Sequence, residues 1–312
     1  MRGRRLVLLD APSNLGLRPP APGREPGCRR LAEVFRAHGI RERLAAAEGG
    51  WVSPPAYSPE VDARTGVRNG GTIPDYSRRL ADRIGELVEG GDFPVVLGGD
   101  CSILLGAALG LRRIGRFGLA FVDGHLDFRH PANAGAVGAV AGEDLAVVTG
   151  RGSPLLTDIE GLRPYVRDTD VVAFGFREGP DQGDAIDILD TPIALFSLDR
   201  IRELGPAAAL DAALERLEHG DTRGFWIHVD ADVLDPAIMP AVDSPDPGGM
   251  TFEELRSTLG RLLASPRAIG LEITVFDPDL DPDGVLAERL VTLLADAFGD
   301  AAESGPGGTI GE

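Results

Sequence analysis

The run Gly118-Leu119-Ala120-Phe121-Val122-Asp123-Gly124-His125-Leu126-Asp127, residues 118–127, passes from five apolar or small residues directly into polar groups at every second position. On an extended chain alternate side chains point the same way, so Asp123, His125 and Asp127 can converge on one point just past a strand end. Two carboxylates and an imidazole held together call for a partner, and a divalent cation is a larger local charge than any side chain. Asp and His also cap turns after strands, so one triplet alone leaves both readings standing.

A second cluster shifts the balance toward metal. Gly224-Phe225-Trp226-Ile227-His228-Val229-Asp230-Ala231-Asp232-Val233-Leu234-Asp235-Pro236 again runs an apolar strand into alternating acids, with His228 in the register of Asp230 and Asp232. In an open parallel sheet, sites form where the carboxyl ends of adjacent strands meet, so the two clusters can face each other across one crevice. Asp123, His125, Asp127, Asp230 and Asp232 are too many ligands for one catalytic metal with an open position. They suit a pair bridged by carboxylates.

That placement defines the fold. Apolar strand segments and amphipathic helix segments alternate with no Pro/Ser-rich linker between them, the pattern of a mainly parallel sheet covered by helices. The 312 residues are read as one three-layer α/β domain over residues 1–298, with 299–312, rich in Gly, Ala and acids, as a frayed tail. Strands are expected at Arg5–Asp10, Phe93–Leu97, Gly118–Val122, Asp170–Phe174, Gly224–Val229 and Ala268–Ile273. Helices are expected at Gly27–His38, Ile73–Glu89, Ser102–Leu111, Pro206–Leu217, Thr251–Leu263 and Val285–Phe298. Leu80, Ile84 and Leu87 keep helical spacing, and Thr251 with Glu254 three residues on reads as a helix start. Residues 41–72 read as a long loop bordering the site.

A formal net charge of -18 argues against nucleic-acid or anionic-membrane partners, which select basic patches. The chain shows no apolar run of transmembrane length, and Met1-Arg2-Gly3-Arg4-Arg5-Leu6-Val7-Leu8-Leu9-Asp10 has too short an apolar core for a signal peptide. A cytoplasmic protein is expected. Two cysteines, Cys28 and Cys101, imply no disulfide framework and agree with a reducing compartment.

With Gly98-Gly99-Asp100-Cys101-Ser102, Asp123-Gly124-His125-Leu126-Asp127 and Asp230-Ala231-Asp232-Val233-Leu234-Asp235-Pro236 in order along one chain, the sequence resembles the arginase/agmatinase (ureohydrolase) family. Pro240-Ala241-Val242-Asp243-Ser244-Pro245, Gly248-Gly249-Met250-Thr251 and Gly270-Leu271-Glu272-Ile273 extend the resemblance over most of the chain. It implies a three-layer α/β fold, two Mn²⁺ ions bridged by hydroxide, hydrolysis of a guanidine or amidine C–N bond, and assembly as trimers or hexamers. Carried over residue by residue, it makes Asp123 and Asp230 the carboxylates that contact both metals. His125 and Asp232 become ligands of one metal, and Asp127 a ligand of the other.

Three departures accompany the resemblance. Cys101 stands where the family pattern places a metal-binding His. As a thiolate it is a soft ligand that turns the position toward zinc or iron; as a thiol it is a buried filler and that metal is lost or labile. Val140-Ala141-Gly142 replaces the His that shuttles protons ahead of a Gly, leaving His130 and His228 as the nearby imidazoles, of which His228 also reads as a core histidine. Val275 stands where the family carries a Glu that pairs with the guanidinium. Asp277, two residues on, is a candidate for part of that role, although Asp-Pro also starts turns.

The catalytic candidates are therefore Asp127, His228 and Asp277, and the metal candidates Cys101, Asp123, His125, Asp127, Asp230 and Asp232. An apolar side chain at 275 would leave a guanidinium desolvated and unpaired. Hydrolysis of a guanidino, hydroxyguanidino or formimino compound is expected, with a specialised substrate ahead of arginine or agmatine, since an N-hydroxylated guanidine or a formimino compound is less basic and can enter neutral. The competing class is a metal-deficient, non-catalytic family member with a binding or assembly role.

Overall fold

The structure, a computed structural model, describes residues 4–135, 137–179 and 187–303. Among these residues eight strands form one sheet: β1 (Leu6–Asp10), β2 (Ala47–Trp51), β3 (Phe93–Leu97), β4 (Gly118–Val122), β5 (Val171–Phe174), β6 (Ala194–Phe196), β7 (Phe225–Asp230) and β8 (Ala268–Thr274). Their spatial order is β2-β1-β3-β8-β7-β4-β5-β6, and every pairing is parallel. The inner strands β3, β4, β5, β7 and β8 are buried at every residue, as expected of parallel strands covered on both faces.

Among the described residues ten α-helices connect them: α1 (Leu31–Ala37), α2 (Ile40–Arg43), α3 (Ile73–Glu89), α4 (Ile103–Ile114), α5 (Asp144–Val148), α6 (Pro154–Thr157), α7 (Leu198–Leu204), α8 (Pro206–Glu218), α9 (Phe252–Ala264) and α10 (Val285–Glu303). They divide between two cores. One gathers α1, α8, α9 and α10 around residues such as Phe35, Leu259 and Leu290; the other packs α3, α4 and α5 around Leu80, Leu105 and Leu145. The expected three-layer α/β architecture with a central parallel sheet is therefore present. Thr251 caps α9 in a reciprocal box, its hydroxyl accepting from the Glu254 backbone N–H while the Glu254 carboxylate accepts from that of Thr251.

Two expectations need correction. Residues 41–72 hold the end of α2 and the edge strand β2, so this region is not simply a loop. The tail does not begin at residue 299, because α10 continues to Glu303 with Ala301 buried against the core; residues 304–312 lie outside the described residues.

The order of β3, β8, β7 and β4 decides where chemistry can sit. The chain builds β1 and β3 on one side, then crosses to β4 and β5 on the other, and later fills the gap with β7 and β8. Brought together at their carboxyl ends are the segments that follow four adjacent strands, the usual place for a site in an open α/β sheet.

Candidate metal centre

Each of the four strands delivers its own group. After β3, Asp100 is fully buried and braces the turn: its carboxylate accepts from the Gly16 and Ser102 backbone N–H groups and from the Ser13 hydroxyl at 2.7 Å. A side chain on Gly99 would collide with the Ser13 carbonyl, so only glycine lets the two segments approach this closely. The turn presents Cys101 inward. Its Sγ lies 2.8 Å from Asp230 Oδ2 and 3.3 Å from Thr274 Oγ1, at the ends of β7 and β8.

After β4, Asp123 Oδ1 accepts from the His125 backbone N–H at 2.6 Å, which folds the chain into the tight turn that aims His125. His125 Nδ1 lies 2.9 Å from Asp232 Oδ2, and its Nε2 lies 2.9 Å from Asp246 Oδ2. Asp127 takes the left-handed backbone, φ 41°, a conformation Asp tolerates better than most residues. After β7, Asp230 Oδ1 accepts from the Asp232 backbone N–H at 2.7 Å, and Asp232 Oδ1 accepts from that of Gly124 at 3.2 Å. The two acidic turns are thereby tied to each other.

Cys101, His125, Asp127, Asp230 and Asp232 line one cleft of about 200 Å³. Asp123 lies beneath it, 1 % exposed. Val275, 3 % exposed, lines the cleft in the position where the resemblance expects a carboxylate. It does so at φ 71°, an outlier for a β-branched residue, held by its N–H donating to the Gly99 carbonyl at 2.7 Å.

Three predicted candidates, Asp277, His130 and His228, do not line the cleft. The Asp277 carboxylate accepts from the Gly27 and Asp279 backbone N–H groups and caps the short helix at 278–280. This is the turn chemistry of Asp-Pro. His130 turns away as well, its Nε2 2.8 Å from Asp187 Oδ2. His228 is wholly buried on β7, level with Glu272 in the register of β8, and its Nδ1 lies 2.7 Å from Glu272 Oε1.

Several further residues meet these groups without a mark in the sequence. Asp144, at the start of α5, is fully buried and 3.9 Å from His228 Nε2 through its Oδ2. Asp246 backs His125, and Glu272 backs His228. Arg177 donates from Nη2 to the Asp232 and Leu234 carbonyls at 2.7 and 3.0 Å, holding that turn from behind. Asp144 and Arg177 carry no spacing signal, since each is remote in sequence from the groups it meets.

The electrostatics ask for a cation. Burial, reinforced by neighbouring carboxylates, pushes Asp123, Asp144 and Asp230 well above the usual carboxylate range, and burial lifts Asp127 to about 7. Burial would lower His125, but Asp232 outweighs it and raises the imidazole to about 10. Asp123 Oδ2, Asp144 Oδ2 and His228 Nε2 are buried with no hydrogen-bond partner. Buried polar atoms are rarely orphaned, and a metal ion is one standard partner. Among the described residues, Asp123, His125 and Asp232 offer ligand atoms within 4.8 Å of one another, and so do Cys101, Asp144 and His228.

Fold and site together define a class: a parallel α/β protein with a carboxylate-rich, metal-competent cleft at the carboxyl ends of its central strands. Residues 21–299 match the arginase family, and the chain belongs to it. The arginase of Brevibacillus brevis is 31% identical over 229 residues, covering 73% of this chain and 76% of its own length. The native structure of arginase from Bacillus caldovelox superposes with a TM-score of 0.84 at 26% identity, covering 95% of this chain and 98% of the other. Formimidoylglutamase from Bacillus subtilis shares the fold, with a TM-score of 0.75 at 18% identity over 97% of this chain and 88% of the other.

Proposed function

We propose that this protein is a metal-dependent hydrolase that cleaves a C–N bond of a linear amidine. The observation that carries the reading is the convergence of Cys101, His125, Asp127, Asp230 and Asp232 from the ends of β3, β4 and β7 onto one cleft, with Asp123 beneath it and its Oδ2 left unpartnered. In this reading those six hold two divalent cations, with manganese suited to the oxygen-rich side. A pair of such ions acidifies water into a nucleophile at neutral pH. The chain's own part is to aim and to exclude: Asp246 fixes the His125 ring, and Arg177 fixes the turn bearing Asp232.

Val275 narrows the substrate. An apolar wall cannot pair with a guanidinium, whose desolvation is costly and whose pKa is roughly 12.5–13.8. A formimino or N-hydroxyguanidino compound can enter neutral, and its leaving group asks less of the imidazole missing at 140–142. Formimidoylglutamase, a protein of the same fold, is named for a formimino substrate. Both cysteines are free and buried, which supports a cytoplasmic setting, and no helix among the described residues is long and apolar enough to cross a membrane. Assembly as a trimer or hexamer belongs to the same proposal and is read by light scattering.

The test is a screen for release of urea, ammonia and formamide from guanidino, hydroxyguanidino and formimino compounds with manganese present. Turnover of a neutral amidine well above arginine and agmatine is expected. Silence from fully metal-loaded protein would favour the binding or assembly role instead. Val275→Glu relieves the branched side chain at positive φ and restores a carboxylate, so it should raise the ratio of agmatine to formimino turnover by about tenfold, of the order of one charge-assisted hydrogen bond.

A further inference from the structure

We infer that Cys101, Asp144 and His228 form a thiolate-containing metal position that takes zinc or iron(II) in preference to manganese, so that two chemically unlike metals sit side by side. The inference rests on the metal-dependent reading above and deepens it, because neither Asp144 nor His228 belongs to the ligand set that the resemblance implies.

Geometry comes first. Cys101 Sγ, a carboxylate oxygen of Asp144 and a ring nitrogen of His228 lie within 4.8 Å of one another, and all three residues are buried. Ligand atoms at about 2.0–2.3 Å around a tetrahedral ion stand roughly 3.3–3.8 Å apart. The separation of 3.9 Å between His228 Nε2 and Asp144 Oδ2 needs little adjustment to meet that.

The histidine is already oriented. Nδ1 of His228 faces Glu272 Oε1 at 2.7 Å, and the ring stacks on Phe121 at 4.9 Å and 8° between planes. A Glu272 carboxylate accepting Nδ1–H leaves the lone pair on Nε2, the arrangement that fixes a metal-ligating imidazole. That Nε2 has no partner, nor has Asp144 Oδ2, and no solvent reaches either residue.

Charge and donor type give the identity. One thiolate, one carboxylate and one neutral imidazole balance a dication. Sulfur and nitrogen donors favour zinc or iron, whereas an all-oxygen set favours manganese. The Cys101 thiol, which now donates to Asp230 Oδ2 at 2.8 Å, loses its proton to solvent when the metal binds. Asp230 is thereby freed to reach the second ion. Asp123 Oδ2, also unpartnered and 4.0 Å from His228 Nε2, lies between the two groups.

The experiment uses the full chain, stripped of metal under reducing anaerobic conditions and reloaded with cobalt(II), zinc, iron(II) or manganese. Cobalt should produce a near-ultraviolet thiolate-to-metal charge-transfer band that Cys101→Ser abolishes. Asp144→Asn and His228→Gln should each weaken zinc binding at least about 10–100-fold while manganese binding at the other position persists, with circular dichroism reporting the fold of each variant. A cobalt-loaded, folded wild type without the band overturns the inference, and this reading needs no variant to fold. Zinc binding unchanged in both Asp144→Asn and His228→Gln overturns it equally. If the band appears but no amidine is hydrolysed, the hydrolase reading fails and the site stands; hydrolysis without the band has the opposite meaning.

Discussion

The two halves of the metal centre are built on the same plan from different materials. Each has a histidine backed by a carboxylate: Asp246 behind His125 and Glu272 behind His228. The His125 half opens on the cleft, and its backing carboxylate is 43% exposed; the His228 half is sealed, with both residues of the pair at 0%. The first half uses oxygen and nitrogen donors on two strand-end turns. The second takes sulfur from the β3 turn, nitrogen from within β7 and oxygen from the start of α5. The difference teaches that one sheet edge can offer two metal positions of unlike donors, an oxygen-rich one open to the cleft and a sealed one reached from the core.

Removing the residue common to both halves should have the largest effect. Asp230 touches Cys101 through Oδ2 and steers the Asp232 turn through Oδ1. Asp230→Ala should release both metals and lower turnover by more than the roughly 10–100-fold seen when an outer partner is lost, as measured by elemental analysis and product release. Retention of one full metal equivalent would show that the halves are independent.

The backing carboxylates come next. Glu272→Gln should weaken zinc binding by about 10–100-fold and lower stability by about 1.5–3 kcal/mol, because a buried, charge-assisted hydrogen bond is weakened. Asp246→Asn, at an exposed carboxylate, should weaken manganese binding by about tenfold or less and leave thermal unfolding unchanged. Chelator-competition titrations measure both. Equal effects on the two sides would erase the contrast between sealed and open halves.

Acidity should separate the metal-free from the metal-loaded protein. Asp127 titrates near 7 when buried without a cation, above its unfolded value of 3.8, so the folded form keeps a proton that the unfolded chain has released. Its contribution to stability is full below about pH 4 and is lost as pH rises through about 7. His125, raised to about 10, contributes in the same direction and loses its part from about pH 6.5 upward. Metal binding requires these groups without their protons, so the melting-temperature gap between loaded and stripped protein should widen from about pH 5 to pH 8. At a metal concentration about 100 times Kd, each site adds about 2.7 kcal/mol. A gap that narrows over this range would contradict the placement of metal among these groups. The smallest change expected is from Cys101→His, which should shift the bound ratio from zinc toward manganese without loss of total metal.

Legibility in the sequence followed the same division. The six strands with a neighbour on each side were all anticipated, since strands covered on both faces are apolar over most of their length. Both edge strands were missed. β2 reads Ala-Glu-Gly-Gly-Trp and β6 spans only Ala194–Phe196, and an edge with one neighbour needs neither length nor alternation. Asp123, His125, Asp127, Asp230 and Asp232 stood out because short-range alternation aims them at one point. Asp144 follows Glu143 at a helix start, where acids are commonplace for reasons of the helix dipole, and its neighbours are 43 and 84 residues away. Nothing local marks it. Glu272 sits within an apolar strand segment, and its pairing with His228 becomes visible only through the β7–β8 register.

The chain holds two thiols, Cys28 and Cys101, each 1 % exposed and neither bridged. Folded molecules should therefore resist a thiol-specific dye, while any molecule that opens reacts at both positions. The protein carries its own unfolding clock: labelling at Cys28, in the short helix ahead of α1, times opening of that side, and added protection of Cys101 on metal loading would report how firmly a bound ion keeps the centre of the sheet closed.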